Sequence, residues 1–136
     1  MKTRIRENEI YTILHNSEDN VFELRFKDTS NMSWETFQDE MLEQTRLAAK
    51  YKPEAFFLDT KNFDFGIGPE MQTWIDEEIF PKFSANGLRK YAYLVSDEFI
   101  SQLSIEQLMA EGNAEKQFIT KYFNTEEEAF AWLKKA

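Results

Sequence analysis

Two unbroken apolar runs constrain this chain more than any other feature: Ala55 to Leu58 (AFFL) and Tyr91 to Val95 (YAYLV). A strand with one wet face alternates apolar and polar side chains, whereas an unbroken run must be covered on both faces. Both runs therefore belong at the centre of a sheet that carries helices. The segments before them agree. Ser33 is placed to cap a helix, with Met32 and Phe37 at the two positions of a hydrophobic staple. Trp34, Phe37, Met41, Leu42, Thr45, Ala48 and Ala49 share one arc of that helix, which Pro53 stops just before the first run. Pro69 suits a first helical turn, and Met71, Trp74, Ile75, Ile79 and Phe83 form a second apolar face. Pro81 must kink or end this helix, and Asn86-Gly87 closes it ahead of the second run.

Nearer the start, Val21 to Lys27 alternates, with Phe22, Leu24 and Phe26 on one face of a half-buried strand. Ile10 to Leu14 (IYTIL) is another β-type run, and the polar link from His15 to Asn20 joins the two as an antiparallel hairpin. Beyond the second central run, Asp97 to Ala114 has helical period but divided direction. Phe99, Ile100 and Leu103 point one way, and Ile105, Leu108 and Met109 another. Ser104 and Gln107 have capping-box spacing, so a break at Ser104 between two short helices is expected. Phe118 to Phe123 reads as a last, edge strand, carrying Thr120 and Lys121 as edges often do. Thr125 and Glu128 box the start of a terminal helix built on Ala129, Phe130, Trp132 and Leu133. The expected fold is α/β, one domain over residues 1–136. Its sheet is mixed and five-stranded: an N-terminal antiparallel hairpin, then parallel strands joined by right-handed helical crossovers.

Charge and composition narrow the function. Acidic residues number 25 against 16 basic, a net charge of -9, which has the wrong sign for nucleic acid or anionic membranes. The absence of cysteine removes disulfides, thiolate metal sites and cysteine nucleophiles together. The single histidine, His15, is expected in the hairpin turn, where Glu18 and Asp19 do not complete a ligand set. Asp76-Glu77-Glu78 and Glu126-Glu127-Glu128 make no carboxylate pairs, because adjacent helix residues splay by about 100°. A solvated face or dipole matching accounts for both triplets. No metal or cofactor is expected. Met1 to Ile10 lacks the apolar run of about 7–15 residues of a secretory signal, and no stretch reaches the ~18 that span a bilayer. A cytoplasmic location without integral membrane association is expected.

In open α/β sheets ligands bind beyond the carboxyl ends of the strands. Asp59, Thr60, Lys61 and Asn62 follow the first central strand, and Ser96, Asp97 and Glu98 follow the second. The candidate ligand- or partner-binding set is Asp59, Thr60, Lys61, Asn62, Phe63, Phe65, Ser96, Asp97 and Phe99. Capping and loop solvation is the competing account of its polar members. Asn62 to Pro69 (NFDFGIGP) enters a helix N-terminus but lacks both the third glycine of a dinucleotide fingerprint and the Gly-Lys-Ser/Thr of a phosphate loop. Phe63, Phe65 and Ile67 alternate through it, as a lid over the core or as an exposed patch. Phenylalanine, at 13 residues, is the commonest large apolar type. Most fall on core stripes, leaving Phe63, Phe65, Phe80 and Phe99 on loops or beside breaks near this edge.

Tyr122 to Leu133 (YFNTEEEAFAWL), together with Phe57-Leu58-Asp59-Thr60, Asn62-Phe63, Pro69-Glu70 and Trp74-Ile75, resembles the SpoIIAA-like family, also called STAS-like or STAS/SEC14-like. The resemblance runs from the opening hairpin to the last helix and rests on apolar and turn patterns. It implies a mixed sheet wound as a β-α superhelix. Anti-anti-sigma factors of the wider group carry a phosphorylatable serine, in an Asp-Ser context, where the loop after a central strand enters its helix. Here that place reads Gly66-Ile67-Gly68-Pro69, without a hydroxyl, so the phospho-switch does not carry over. The SEC14 association implies a small apolar ligand.

The leading expectation is a non-enzymatic STAS-like binding or regulatory module, acting through protein partners or a small ligand at the carboxyl edge of the central strands. The alternative is a carrier of a lipid or another small apolar molecule. An enzyme using Asp59, Lys61 and Asp97 as acid/base groups is the third and weakest. A homodimer would follow if the face of the sheet opposite the crossovers needed cover from loops or a second subunit.

Overall fold

In the computed structural model, which describes residues 1–135, one six-stranded mixed sheet runs in chain order, β1 to β6. The first three strands, β1 (Lys2–Glu7), β2 (Tyr11–Asn16) and β3 (Val21–Phe26), form an antiparallel meander. From β3 onwards β4 (Ala55–Asp59), β5 (Lys90–Leu94) and β6 (Ile119–Phe123) add in parallel. The α/β class, the N-terminal hairpin and the parallel continuation are as expected; the strand count is six rather than five. The extra strand is β1, whose sequence KTRIRE shows no apolar alternation because it lies on the sheet edge with mostly exposed side chains. Its register on β2 shifts between Arg4 and Arg6, a bulge of the kind that blunts an edge.

Each parallel step is made by helices: α1 (Trp34–Tyr51), then α2 (Pro69–Trp74) and α3 (Phe80–Ala85), then α4 (Phe99–Met109) and α5 (Gly112–Gln117). All bury their apolar stripes on one face of the sheet, where Phe22, Leu24, Phe56, Leu58, Tyr91 and Tyr93 meet Phe37, Leu47, Ile79, Phe83 and Leu108 in a single core. Ser33 caps α1 by accepting from the Thr36 amide. Pro81 does not end its helix. A π turn over Ile75–Ile79 joins α2 to α3, with the Phe80 N–H reaching the Ile75 carbonyl, and this longer register passes the donor that Pro81 lacks.

Among the described residues, α6 (Glu126–Leu133) is the one helix on the opposite face. Phe130 packs on Phe57 with ring centroids 4.6 Å apart, and Trp132 lies beside Phe123 and under the Lys90 and Lys121 ammonium groups. The cover expected from loops or a second subunit is therefore supplied within the chain over β4 to β6. Over β3 beyond Val21 the same face is charged rather than apolar. Glu23, with no exposed surface, has Lys2 and Arg25 each at 2.9 Å, and Arg25 also reaches Glu126 at 2.7 Å and Asp59 at 3.6 Å.

Two further expectations change. His15 is not in a turn but in β2, half-buried against Phe22 and Tyr51 and hydrogen-bonded through Nε2 to Asn20. The turn is shorter, Ser17 to Asn20, and Asn20 takes a left-handed φ of 54°. Asp76 is not solvated. It is buried, and its carboxylate accepts from the Asn113 and Ala114 amides, capping α5 from another helix.

Candidate functional site

The parallel strands end at one edge, and the loops after β4 and β5 are stitched together there. Thr60 is buried, its amide and hydroxyl both donating to the Leu94 carbonyl. Ser96 is buried too. Its hydroxyl donates to the Phe63 carbonyl at 2.9 Å and accepts from the Glu98 amide, while its own amide donates to Gln102. These two hydroxyls are committed to backbone and act as fasteners of the edge.

The remaining members of the predicted set separate. Phe63 is buried and, with Ile67 and the partly buried Phe65, closes the core at this end as a lid. Lys61, Asn62 and Asp97 are exposed on the rim, where the Asp97 amide donates to the Lys61 carbonyl. Asp59 turns to the other face of the sheet and pairs with Arg25. Asp59, Lys61 and Asp97 are therefore not gathered as a group: among the described residues, ion pairs engage Asp59 but neither of the other two. Phe99 is 69% exposed.

Phe99 is not alone. The expected break at Ser104 does not exist: α4 is continuous from Phe99 to Met109. Ser104 is buried inside it, donating to the Ser101 carbonyl and accepting from the Ile67 amide at 3.1 Å. A capping-box spacing here serves a tertiary contact instead. The two apolar directions in the sequence are thus two faces of one helix. Ile105, Leu108 and Met109 enter the core, whereas Phe99, Ile100 and Leu103 face outward, at 69%, 59% and 42% exposure. A helix apolar on both faces is ordinarily covered on both. Glu98 anchors its start by accepting from the Ile100 and Ser101 amides, bonds that hold this exposed carboxyl below its usual range.

Sequence reasoning had singled out Phe99 but assigned no role to Ile100 and Leu103. The signal that could have found them is the all-round hydrophobicity of the segment, taken as one helix rather than two. The loop passes beside α4 at Gly66, where a Cβ would lie in ordinary contact, 3.6 Å, with Ile100 Cγ2. On the far side of the same loop, Trp34 and Trp74 meet edge to face at 5.5 Å and line an open groove with Met71 and Pro69.

The core behind the edge holds a cavity of about 40 Å³, lined by Phe26, Phe56, Phe63, Phe80, Tyr91 and Tyr93 among others. That is room for a few waters at most, against the roughly 300–1,000 Å³ of small-molecule pockets. Burial pushes the Tyr91 and Tyr93 hydroxyls far above their usual range. Among the described residues no cluster of three or more potential metal ligands occurs, and no helix is long and apolar enough to cross a membrane. Compared with protein-family models, curated proteins and solved structures, the chain matches none.

Proposed function

We propose that this chain is a non-enzymatic binding or regulatory module of the STAS-like kind, and that it engages a protein partner at the edge where its central parallel strands end. The observation that carries the proposal is the uncovered apolar face of α4, formed by Phe99, Ile100 and Leu103. A contiguous apolar patch on an otherwise polar surface is the usual mark of an interaction site. Thr60 and Ser96 hold the loops that present it, and Lys61 and Asp97 stand on its rim. The mixed sheet in chain order, with its crossovers on one face and α6 on the other, supports the SpoIIAA-like resemblance drawn from the sequence.

Protein partnership is favoured over carriage of a lipid or other small apolar molecule because the Phe-lined cavity would have to enlarge roughly tenfold to admit a ligand of ordinary size. A photo-crosslinking residue at Gln102, introduced into the protein in its own cells, tests the proposal. The expected result is a discrete protein adduct that disappears in a Phe99→Ser/Leu103→Ser variant. Identical adducts from both proteins would count against it.

A further inference from the structure

The outward face of α4 leads into a groove between α4, α5 and β6, lined by Glu106, Met109, Glu115, Phe118, Thr120 and Tyr122. Its floor is apolar, and two exposed carboxylates, Glu106 and Glu115, stand over it. Tyr122 stacks on Tyr93 at 5.5 Å, and partial burial together with the Glu106 charge pushes its hydroxyl up to about 12. A second, independent observation points to a ligand. The Thr120 hydroxyl is buried without a hydrogen-bond partner among the described residues, and Thr120 lines this groove. Buried polar atoms are almost always paired, so an orphan at a groove wall asks for a donor or acceptor from outside.

The groove's own lining is anionic: its charged residues are Glu106 and Glu115, while Lys116 on α5 and Lys61 on the rim of the edge lie outside it. A second copy of this chain would bring like charge to like charge, and an anionic membrane would be repelled in the same way. Apolar floor and anionic rim together fit the lysine or arginine side chain, whose methylene stem lies on apolar surface while its charged head reaches carboxylates. Along α4, Phe99 and Leu103 are about 6 Å apart and Glu106 lies about 4.5 Å further, by the rise per residue of a helix.

Resting on the partner-binding reading above, we infer that the partner is a protein presenting a cationic amphipathic segment, with apolar side chains seated on Phe99, Ile100 and Leu103 and a lysine or arginine in the Glu106–Glu115–Thr120 groove. Its apolar and basic positions follow the spacing of α4: apolar at i and i+4, basic at i+7 or i+8.

Fluorescence anisotropy with a labelled 18-residue leucine/lysine amphipathic peptide tests this, with a leucine/glutamate peptide of the same pattern as comparison. Binding of the lysine peptide alone is expected, weakened at least tenfold and made less salt-dependent by Glu106→Gln/Glu115→Gln. It should be weakened again by Thr120→Val, but not by the charge-matched control Glu77→Gln/Glu78→Gln. If the control weakens binding as much as the groove variant does, the attraction is general charge and the groove inference fails. If Phe99→Ser/Leu103→Ser abolishes binding while the groove variants have no effect, the docking face stands and the cation site does not. If neither set changes binding, both readings fail. Self-association lost in the Phe99→Ser/Leu103→Ser variant, or binding to phosphatidylcholine/phosphatidylglycerol vesicles lost in it, would overturn the inference in favour of a second copy or a membrane.

Discussion

The Ser104 hydroxyl accepts a hydrogen bond from the Ile67 amide at 3.1 Å, and through it α4 is fixed to the loop that follows β4. Both groups are buried, so removing the hydroxyl leaves an amide that water cannot reach. Ser104→Ala should cost about 1–2 kcal/mol. Urea denaturation provides the measurement, and a change below a few tenths would show that the bond contributes nothing net.

Arg6 on β1 donates two hydrogen bonds of 2.8 Å to Glu40 on α1, and Tyr11 donates a third to the same carboxylate. Burial pushes the Glu40 carboxyl up, but the bonds from Arg6 and Tyr11 outweigh it and hold the group below its usual 4.5. Folding therefore favours the ionised form. This contribution is complete above about pH 5 and is lost as the pH falls through the depressed native value. Glu40→Gln should lower stability at pH 7 yet reduce the further loss on acidification to about pH 3. Because Arg6 is partly solvated, Arg6→Ala should cost about 1–3 kcal/mol rather than the larger figure of a fully buried pair. Melting temperatures across that range decide; parallel pH curves for wild type and Glu40→Gln would exclude a role for this carboxylate.

Arg25 holds three carboxylates, from β3, the end of β4 and the start of α6. Arg25→Met leaves Glu23 buried with only Lys2 beside it and should destabilise by about 2–4 kcal/mol. Arg25→Met/Glu23→Leu should recover most of that loss, since an apolar pair of similar volume carries no desolvation cost. A double-mutant cycle by chemical denaturation gives the coupling, and additive effects would rule out the pairing as an energetic unit.

The two faces of α4 should respond very unequally to truncation. Leu108→Ala opens a hole in the core and should cost about 2–5 kcal/mol. Phe99→Ser and Leu103→Ser remove exposed surface and should change stability by less than about 0.5 kcal/mol. A large loss from Phe99→Ser would mean that Phe99 is covered in solution by part of the chain itself.

What was legible in the sequence follows from burial. AFFL and YAYLV identified β4 and β5 because a strand covered on both faces leaves an unbroken apolar record, and Ser33 and Thr125 marked helix starts because a capping oxygen must sit there. β1 left no such record: on the edge it is held by backbone pairing to β2 and by ion pairs. The residues after β4 and β5 come together at one edge of the sheet, as chain order requires, but what each of them contacts depends on partners distant in sequence. Thr60 answers to Leu94, Ser96 to Phe63, and Asp59 to Arg25. Asp76 reads as surface charge in the sequence because its targets, the Asn113 and Ala114 amides, lie nearly forty positions along.

The strand order, identical to the order of synthesis from β1 to β6, has a consequence for the nascent chain. Every strand pairs with the one made just before it, so the sheet can lengthen at a single growing edge as polypeptide leaves the ribosome, without waiting for a distant segment. The crossover helices arrive in step with the strands they cover, but α6 emerges after all of them. Until it docks, Val21, Phe57 and Leu94 are bare, so the half-made sheet carries an apolar face that only the last helix closes.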